Sequence, residues 1–288
     1  MGDTMSISLS RNLISLGIAS SLRTTTQQVG SVYERLASGS RINKAANNPA
    51  DAALAQQLNV QSRLMTVAIR NANDGLSYAN MADAGLSEIY SILGRMSELS
   101  LQSANSTYSS SQRSALQSEF TALGSEVERI AAVTQFNGIN ALSASSDIMV
   151  QVGITSDGAS RIALQSALAT LSFLGLGSNY ALTYSISGAT TSYAVSASRF
   201  AHSAINLALG DILQQRGIIA AAANRLSSAV DYLSVARENT IAAEARVKDS
   251  DIASDAAELV RLQVLQQSQL SLLAQSNKIP TLVLKLLE

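Results

Sequence analysis

The sequence predicts a mainly α protein: long coiled-coil helices from paired N- and C-terminal segments, with a small β-hairpin region between them. Three observations carry this. Apolar residues recur at alternating spacings of three and four near both ends of the 288-residue chain. Only 2 Pro are present, and Pro breaks helix interiors. The apolar fraction of 47% is met with Ala, Leu, Ile and Val, aromatic residues making up 4%. Such side chains suit thin, closely packed helices better than a thick core.

The first helix is marked by Ile18, Leu22, Thr25, Val29, Val32 and Leu36, an a/d seam. It is expected to stop at Ser38-Gly39-Ser40, where Gly can take the left-handed conformation of a helix end. Asn47-Asn48-Pro49 then supplies a cap and a Pro near the first helical position. A second helix follows from Pro49 to about Ser103, anchored by Leu54, Leu58, Leu64, Ile69, Leu76, Leu86, Ile89, Leu93 and Leu99. At 1.5 Å per residue it is roughly 80 Å long, and Gly75, Gly85 and Gly94 count against its continuity. A third helix, about Ser111 to Val133, carries the stripe Leu116, Phe120, Leu123, Val127 and Ile130.

The period then changes. Ile148–Val152 and Arg161–Leu164 flank the turn signal Ser156-Asp157-Gly158, which predicts a hairpin. From Ile162 to Ser198 there is no charged residue. Within it Tyr180, Leu182, Tyr184 and Ile186 alternate with smaller residues, and Gly188 precedes Tyr193 and Val195, which predicts a second small hairpin. Helix is expected from about Arg199 to the end. Leu226, Val230 and Leu233 continue a seam that Ile252, Leu259 and Leu262 take up beyond Lys248-Asp249-Ser250-Asp251. The last stretch is leucine-rich, with Leu262, Leu265, Leu270, Leu272, Leu273, Leu282, Leu284, Leu286 and Leu287. Seams at both ends invite the ends to pack together and invite other subunits.

Several chemistries are excluded. There is no Cys, so disulfide scaffolds, thiolate metal sites and Cys nucleophiles fall away. The single His, His202, has no Ser-His-carboxylate spacing around it and cannot build a multi-His metal site. Asp249, Asp251 and Asp255 suggest a calcium loop, but Ala253, Ser254 and Val260 occupy positions where a ligand, the turn Gly and the bidentate Glu belong. Capping at a helix junction is the better reading. Gly175-Leu176-Gly177 lacks the third Gly of a dinucleotide loop, and Asn105-Ser106-Thr107 is a bare glycosylation sequon. The expectation is a protein without catalytic, cofactor or metal residues. A net charge of −1, with Lys and Arg scattered singly, argues against nucleic acid. No stretch approaches the roughly 18 apolar residues of a spanning helix, so no membrane insertion is expected. The start Met1-Gly2-Asp3-Thr4-Met5-Ser6 has no basic region followed by an apolar one, so export without a cleaved signal peptide is expected.

Both ends carry recognisable runs. Glu34-Arg35-Leu36-Ala37-Ser38-Gly39-Ser40-Arg41-Ile42-Asn43, Arg70-Asn71-Ala72-Asn73-Asp74-Gly75-Leu76-Ser77 and Thr134-Gln135-Phe136-Asn137-Gly138 resemble signatures of bacterial flagellins. So do Leu265-Gln266-Gln267, Leu273-Ala274-Gln275-Ser276-Asn277, Pro280 and Leu284-Lys285-Leu286-Leu287 at the other end. The resemblance implies a structural subunit that self-assembles into the helical filament of the bacterial flagellum, for swimming motility. The alternative it leaves open is a hook–filament junction protein of the same architecture. It further implies a terminal coiled-coil (inner tube) domain at 1–46 and 249–288, and a long-helix bundle with hairpin at 47–172 and 201–248. A short variable insert, 173–200, lies between, and an adhesive or O-glycosylated patch within Ile162–Ser198 is a further reading of its composition.

Under this resemblance Ile18, Leu22, Val29, Val32, Leu36, Ile252, Leu259, Leu262 and Leu273 are the expected subunit interface. An isolated arm such as Ile18–Leu36 offers too little partner surface to offset its ordering entropy, so ordering is expected with assembly. The implied partners are further copies of the chain, the flagellar export apparatus and its chaperone, and the filament cap and hook-junction proteins. The implied location is the extracellular filament. A vertebrate Toll-like receptor that senses flagellin contacts an Arg, a Leu and a Glu, and the matching positions here are Arg95, Leu99 and Glu119.

Overall fold

Helix α1 (Leu13–Ser38) starts where the Asn12 Oδ1 accepts from the Ser15 amide, and ends at Gly39 with φ 63°. The break expected at Ser38-Gly39-Ser40 is therefore a left-handed helix end, which Gly adopts without steric penalty. The computed structural model describes residues 12–44, 48–178, 181–188 and 190–287. Met1–Ser6, Asn47, Tyr180 and Glu288, singled out in the sequence, lie outside these residues. So do the side chains of Pro280, Leu282, Leu284, Lys285, Leu286 and Leu287.

The chain divides into two units, Met1–Val60 with Asn239–Glu288, and Gln61–Glu238. The terminal unit holds α1 and α5 (Ile252–Leu287), which pack along each other. Asp251 starts α5 by accepting from the Ala253 and Ser254 amides through Oδ1, the capping role read for this acidic cluster. Asn48 starts α2 (Pro49–Ser103) in the same way, its Oδ1 accepting from the Asp51 amide.

The second unit is built on most of α2, on α3 (Ser110–Val133) and on α4 (Thr191–Lys248). A reciprocal capping box between Ser109 and Gln112 opens α3. Leu86, Ile89, Leu93 and Met96 of α2 are buried with Phe120 and Val127 of α3 and with Ile205, Ile212 and Leu226 of α4. The glycines of α2 do not break it. A Cβ at Gly75 would stand 2.9 Å from a Val150 methyl, and one at Gly85 would stand 2.8 Å from a Leu142 methyl. At these two positions the helix gives up a side chain so that the strand and loop above can close on it.

Among the described residues, three two-stranded antiparallel sheets complete this unit. In the first, β1 (Gln135–Phe136) and β2 (Ile139–Asn140) join through Asn137, φ 50°, and Gly138, φ 78°. Two successive positive φ angles define the mirror-image turn that matches strand twist. The predicted hairpin is present as β3 (Ile148–Gln151) and β4 (Arg161–Leu164), registered Ile148 to Leu164 and Gln151 to Arg161. Its Val150, Ile162 and Leu164 are buried in the unit's core.

The second predicted hairpin needs correction. Two short strands, β5 (Gly177–Ser178) and β6 (Ala181–Leu182), do pair, but Tyr193 and Val195 are helical. Helix α4 begins at Thr191, not near Arg199. Ala194, Ser198, Ala201, Ile205, Ala208 and Ile212 are all buried at helical spacing. The alternation of Tyr and Val with Ser and Ala lay on the outer sides of a helix whose buried side begins with the small residues Ala194, Ser198 and Ala201. Nor do residues 173–200 stand apart from the bundle, because Leu174, Leu176 and Ile186 belong to its core.

Candidate assembly interface

The terminal unit is held by a seam and by a ladder of polar contacts beside it. Val32 and Leu262 are almost wholly buried, and Thr25 and Ser276 are buried with them. Ile18, Leu22, Val29, Leu36, Leu259 and Leu273 are half-buried, which is what two helices give their a and d positions. Polar pairs fix an antiparallel register. Asn12 donates to the Ser276 carbonyl at 3.0 Å, Gln266 to the Thr26 hydroxyl at 3.1 Å, and Gln263 to the Tyr33 hydroxyl at 3.0 Å. Beside the junction of α4 and α5 the Arg35 guanidinium donates twice to Asp255 Oδ1, at 2.7 and 3.0 Å. Asp255 also accepts from the Ser250 hydroxyl. The Arg35 hydrogen bonds, and then that of Ser250, hold the Asp255 carboxyl below the ordinary range. The Arg41 amide donates to the Lys248 carbonyl at 2.7 Å, and the Ser250 amide to the Gly39 carbonyl at 3.1 Å.

Eight of the nine expected interface residues thus lie along the pairing of α1 with α5 inside one chain. Ile252 does not: it is the first residue of α5 and 62% exposed. The apolar surface left for other molecules is a different set. On α1 it includes Leu13, Ile14 and Leu16, and on α5 Val260, Val264 and Leu272, all exposed. These residues fall off the strict a/d repeat. Their signal in the sequence is an apolar face wider than a two-helix seam requires. An exposed apolar surface of this kind marks a site of association.

In the bundle unit, Arg95 lies between two carboxylates. Its Nη1 donates to Glu98 at 2.9 Å and its Nε to Glu119 at 3.0 Å, with all three side chains largely in solvent. Hydrogen bonds to Glu98 and then Glu119 raise the Arg95 pKa further. Leu99 is not beside them on the surface. It is wholly buried, with Met96 and Phe120, because it falls on the core-facing side of α2. A direct receptor contact through its side chain therefore does not fit this chain, whereas Arg95 and Glu119 are accessible.

His202 ties α4 to α2. Asn206 Nδ2 lies 3.0 Å from its Nε2, and Ser97 Oγ lies 3.1 Å from its Nδ1. Among the described residues no cluster of three metal-ligating side chains occurs, and no helix is long and apolar enough to cross a membrane.

Residues 9–147 match the model of the bacterial flagellin N-terminal helical region, and residues 203–287 match that of the bacterial flagellin C-terminal helical region. The chain is 31% identical over 290 residues to Flagellin FlaB1 of Treponema pallidum, covering 97% of this chain and 99% of that protein. It is 33% identical over 280 residues to a flagellin of Halalkalibacterium halodurans, covering 97% of this chain and 99% of that one. A solved structure described as a flagellar hook-associated protein from Vibrio parahaemolyticus superposes on 70% of this chain and 100% of its own, with TM-score 0.59. At 12% identity that likeness concerns the fold alone.

Proposed function

The chain belongs to the bacterial flagellin family, and from that premise we propose how its terminal helices build the filament. It is a structural subunit that polymerises with copies of itself into the helical filament of the bacterial flagellum, and the family is a structural one. A hook–filament junction role is not favoured, since both family models and the full-length relatives are flagellins. The flagellins that it resembles form an extracellular filament, and this is where the chain acts.

In the proposed mechanism the two terminal helices serve two contacts at once. Ile18, Leu22, Val29, Val32, Leu36, Leu259, Leu262 and Leu273 close α1 on α5 within the subunit. Leu13, Ile14, Leu16, Val260, Val264 and Leu272 then pack against neighbouring subunits, and Ile252 joins this outer set. The observation that carries the reading is this second set of large apolar side chains, exposed on both helices of the terminal unit. Contacts between unlike patches generate an open helix where their rotation does not close into a ring. The terminal coiled-coil (inner tube) domain is residues 1–46 and 249–288, and the long-helix bundle with hairpin is residues 47–172 and 201–248. Assembly removes the outer face from water and stabilises the paired helices by mass action.

The export apparatus with its chaperone, the filament cap and the junction proteins are the proposed transient partners. Arg95 and Glu119 form the proposed contact for a vertebrate innate receptor, Leu99 acting beneath them by fixing the α2 backbone.

Sedimentation and electron microscopy of the purified chain after seed or precipitant addition, beside a chain lacking Asp249–Glu288, test the mechanism. Long regular filaments from the full chain alone support it. Filaments that survive the truncation refute terminal pairing, and caps or short oligomers from the full chain return the junction role.

A further inference from the structure

Helix α4 turns a largely uncovered face to solvent, the Tyr193 ring resting on one side against Gly188. Tyr193, Phe200 and Leu207 are 65%, 69% and 72% exposed, and stand seven residues apart, so they run along one side of the helix. Three residues beyond each come Ser196, Ser203 and Gly210, exposed between them. A Cβ at Gly210 would meet nothing. The stripe alternates large apolar with small residues in a/d spacing, and its core line carries no charge. Tyr193 and Phe200 lie outside both regions that match the family models.

The order of large and small is what identifies the occupant. Read in reverse, the stripe keeps its spacing and exchanges large for small at every position. An antiparallel copy therefore places Tyr193 against the partner's Gly210, Phe200 against the partner's Ser203, and Leu207 against the partner's Ser196. Each knob meets a gap, in the a-to-d layers of an antiparallel coiled coil. Asp211 comes level with the first turn of the other α4, where the positive end of the helix dipole favours an acid. No other occupant is specified so fully by residues of the chain itself.

We propose that two copies of this chain pair antiparallel through the Tyr193–Gly210 face of α4, as a two-fold dimer separate from filament growth. A two-fold antiparallel contact is isologous and cannot be repeated along a polar helical polymer. It belongs to the unassembled subunit. One helix face buries well under the roughly 1,200 Å² of a standard interface, so the dimer is weak and reversible. It withholds subunits from polymerisation without blocking it.

The chain has no Cys, so introduced cysteines report without background. Full-length Tyr193→Cys and Gly210→Cys chains are mixed under mild oxidation and run without reductant. In this register a mixed disulfide dimer forms several-fold above either variant alone, because identical positions stand roughly 25 Å apart across the pair. Leu207→Lys in both chains lowers the mixed product about tenfold with an unchanged melting temperature, and the variant polymerises at or below the parent's critical concentration, because no subunits are withheld in dimers. A mixed yield no greater than that of the single variants overturns the proposal, as does one insensitive to Leu207→Lys. A raised critical concentration for Leu207→Lys also overturns it, by assigning the face to filament contacts. Loss of polymerisation in the unmodified chain bears on the filament mechanism alone.

Discussion

Arg35 and Asp255, 220 residues apart in sequence, are joined by two hydrogen bonds from one guanidinium to one carboxylate oxygen, at 2.7 and 3.0 Å. Their side chains are only 27% and 13% exposed, so the pair is better shielded than an ordinary surface bridge. It stands beside the junction of α4 and α5, and sets the register in which α5 runs back along α1. A pair of this kind contributes about 1 kcal/mol or somewhat more, since solvent still reaches Arg35.

The pair has a pH signature. Asp255 is held below the ordinary carboxylate value, so in the acid range the unfolded chain binds more protons than the folded one. The stabilisation is complete above about pH 4, the unfolded range, and is lost as pH falls through the lower folded value. Asp255→Asn is expected to flatten that acid limb, with about 1 kcal/mol lost at neutral pH. Denaturant titrations of both chains from neutral to acid pH measure this, and parallel acid limbs would falsify it.

Leu262 is 1% exposed and lies at the centre of the α1–α5 seam. Leu262→Ala is expected to remove about 2–4 kcal/mol from the terminal unit through the lost apolar contact and the cavity left behind. Far-ultraviolet circular dichroism during urea unfolding follows the effect. A shift in midpoint no larger than that of an exposed position such as Val260 would mean that the seam does not hold the unit.

Two glycines of α2 should respond in opposite ways. Gly94 has open space around its missing Cβ, so Gly94→Ala is expected to stabilise the chain by about 0.5–1 kcal/mol through helix propensity. Gly85 has Leu142 and Thr134 against it, so Gly85→Ala is expected to lose that gain to overpacking and destabilise by about 1 kcal/mol or more. Thermal melts of the two variants compare them directly, and equal shifts of the same sign would contradict the packing described.

Arg95 and Glu119 are accessible, whereas Leu99 is not. Arg95→Ala and Glu119→Ala are expected to weaken binding to a flagellin-sensing receptor several-fold while leaving the melting temperature within about a degree or two. Leu99→Ala is expected to lower stability by about 2–5 kcal/mol, as other buried Leu truncations do. Receptor binding measured beside a melt separates the two. A Leu99→Ala chain that melts normally yet fails to bind would restore a direct contact.

The sequence was most legible where periodicity and a local stop signal agreed. Gly39, Asn48 and Asp251 each predicted a helix boundary, and each does so through a left-handed φ or a capping hydrogen bond. The β3–β4 hairpin was legible because apolar runs flank a Gly-containing turn. The start of α4 was not, because Ala194, Ser198 and Ala201 bury a helix side without any large apolar residue to mark its period. Tyr193 and Val195, on other sides of the same turns, then imitated a strand. The β1–β2 pair was missed for its length, although Asn137-Gly138 is the strongest short turn signal in the chain. For the interface, a/d spacing found the residues that pair α1 with α5. It could not separate a seam closed within one chain from one closed between chains, and Leu16 and Val264 became legible only when their exposure was seen.

The central claim is that the terminal helices close on each other through one apolar face and on neighbouring subunits through another. The most direct test is the critical concentration for polymerisation of a Leu16→Ser, Val264→Ser chain, with the monomer's melting temperature recorded on the same preparation. Both side chains are more than half exposed in the subunit, Leu16 at 62% and Val264 at 59%. The account predicts a critical concentration raised about tenfold or more with an unchanged melting temperature. Filaments forming at the parent's concentration would show that this second face is not what joins the subunits.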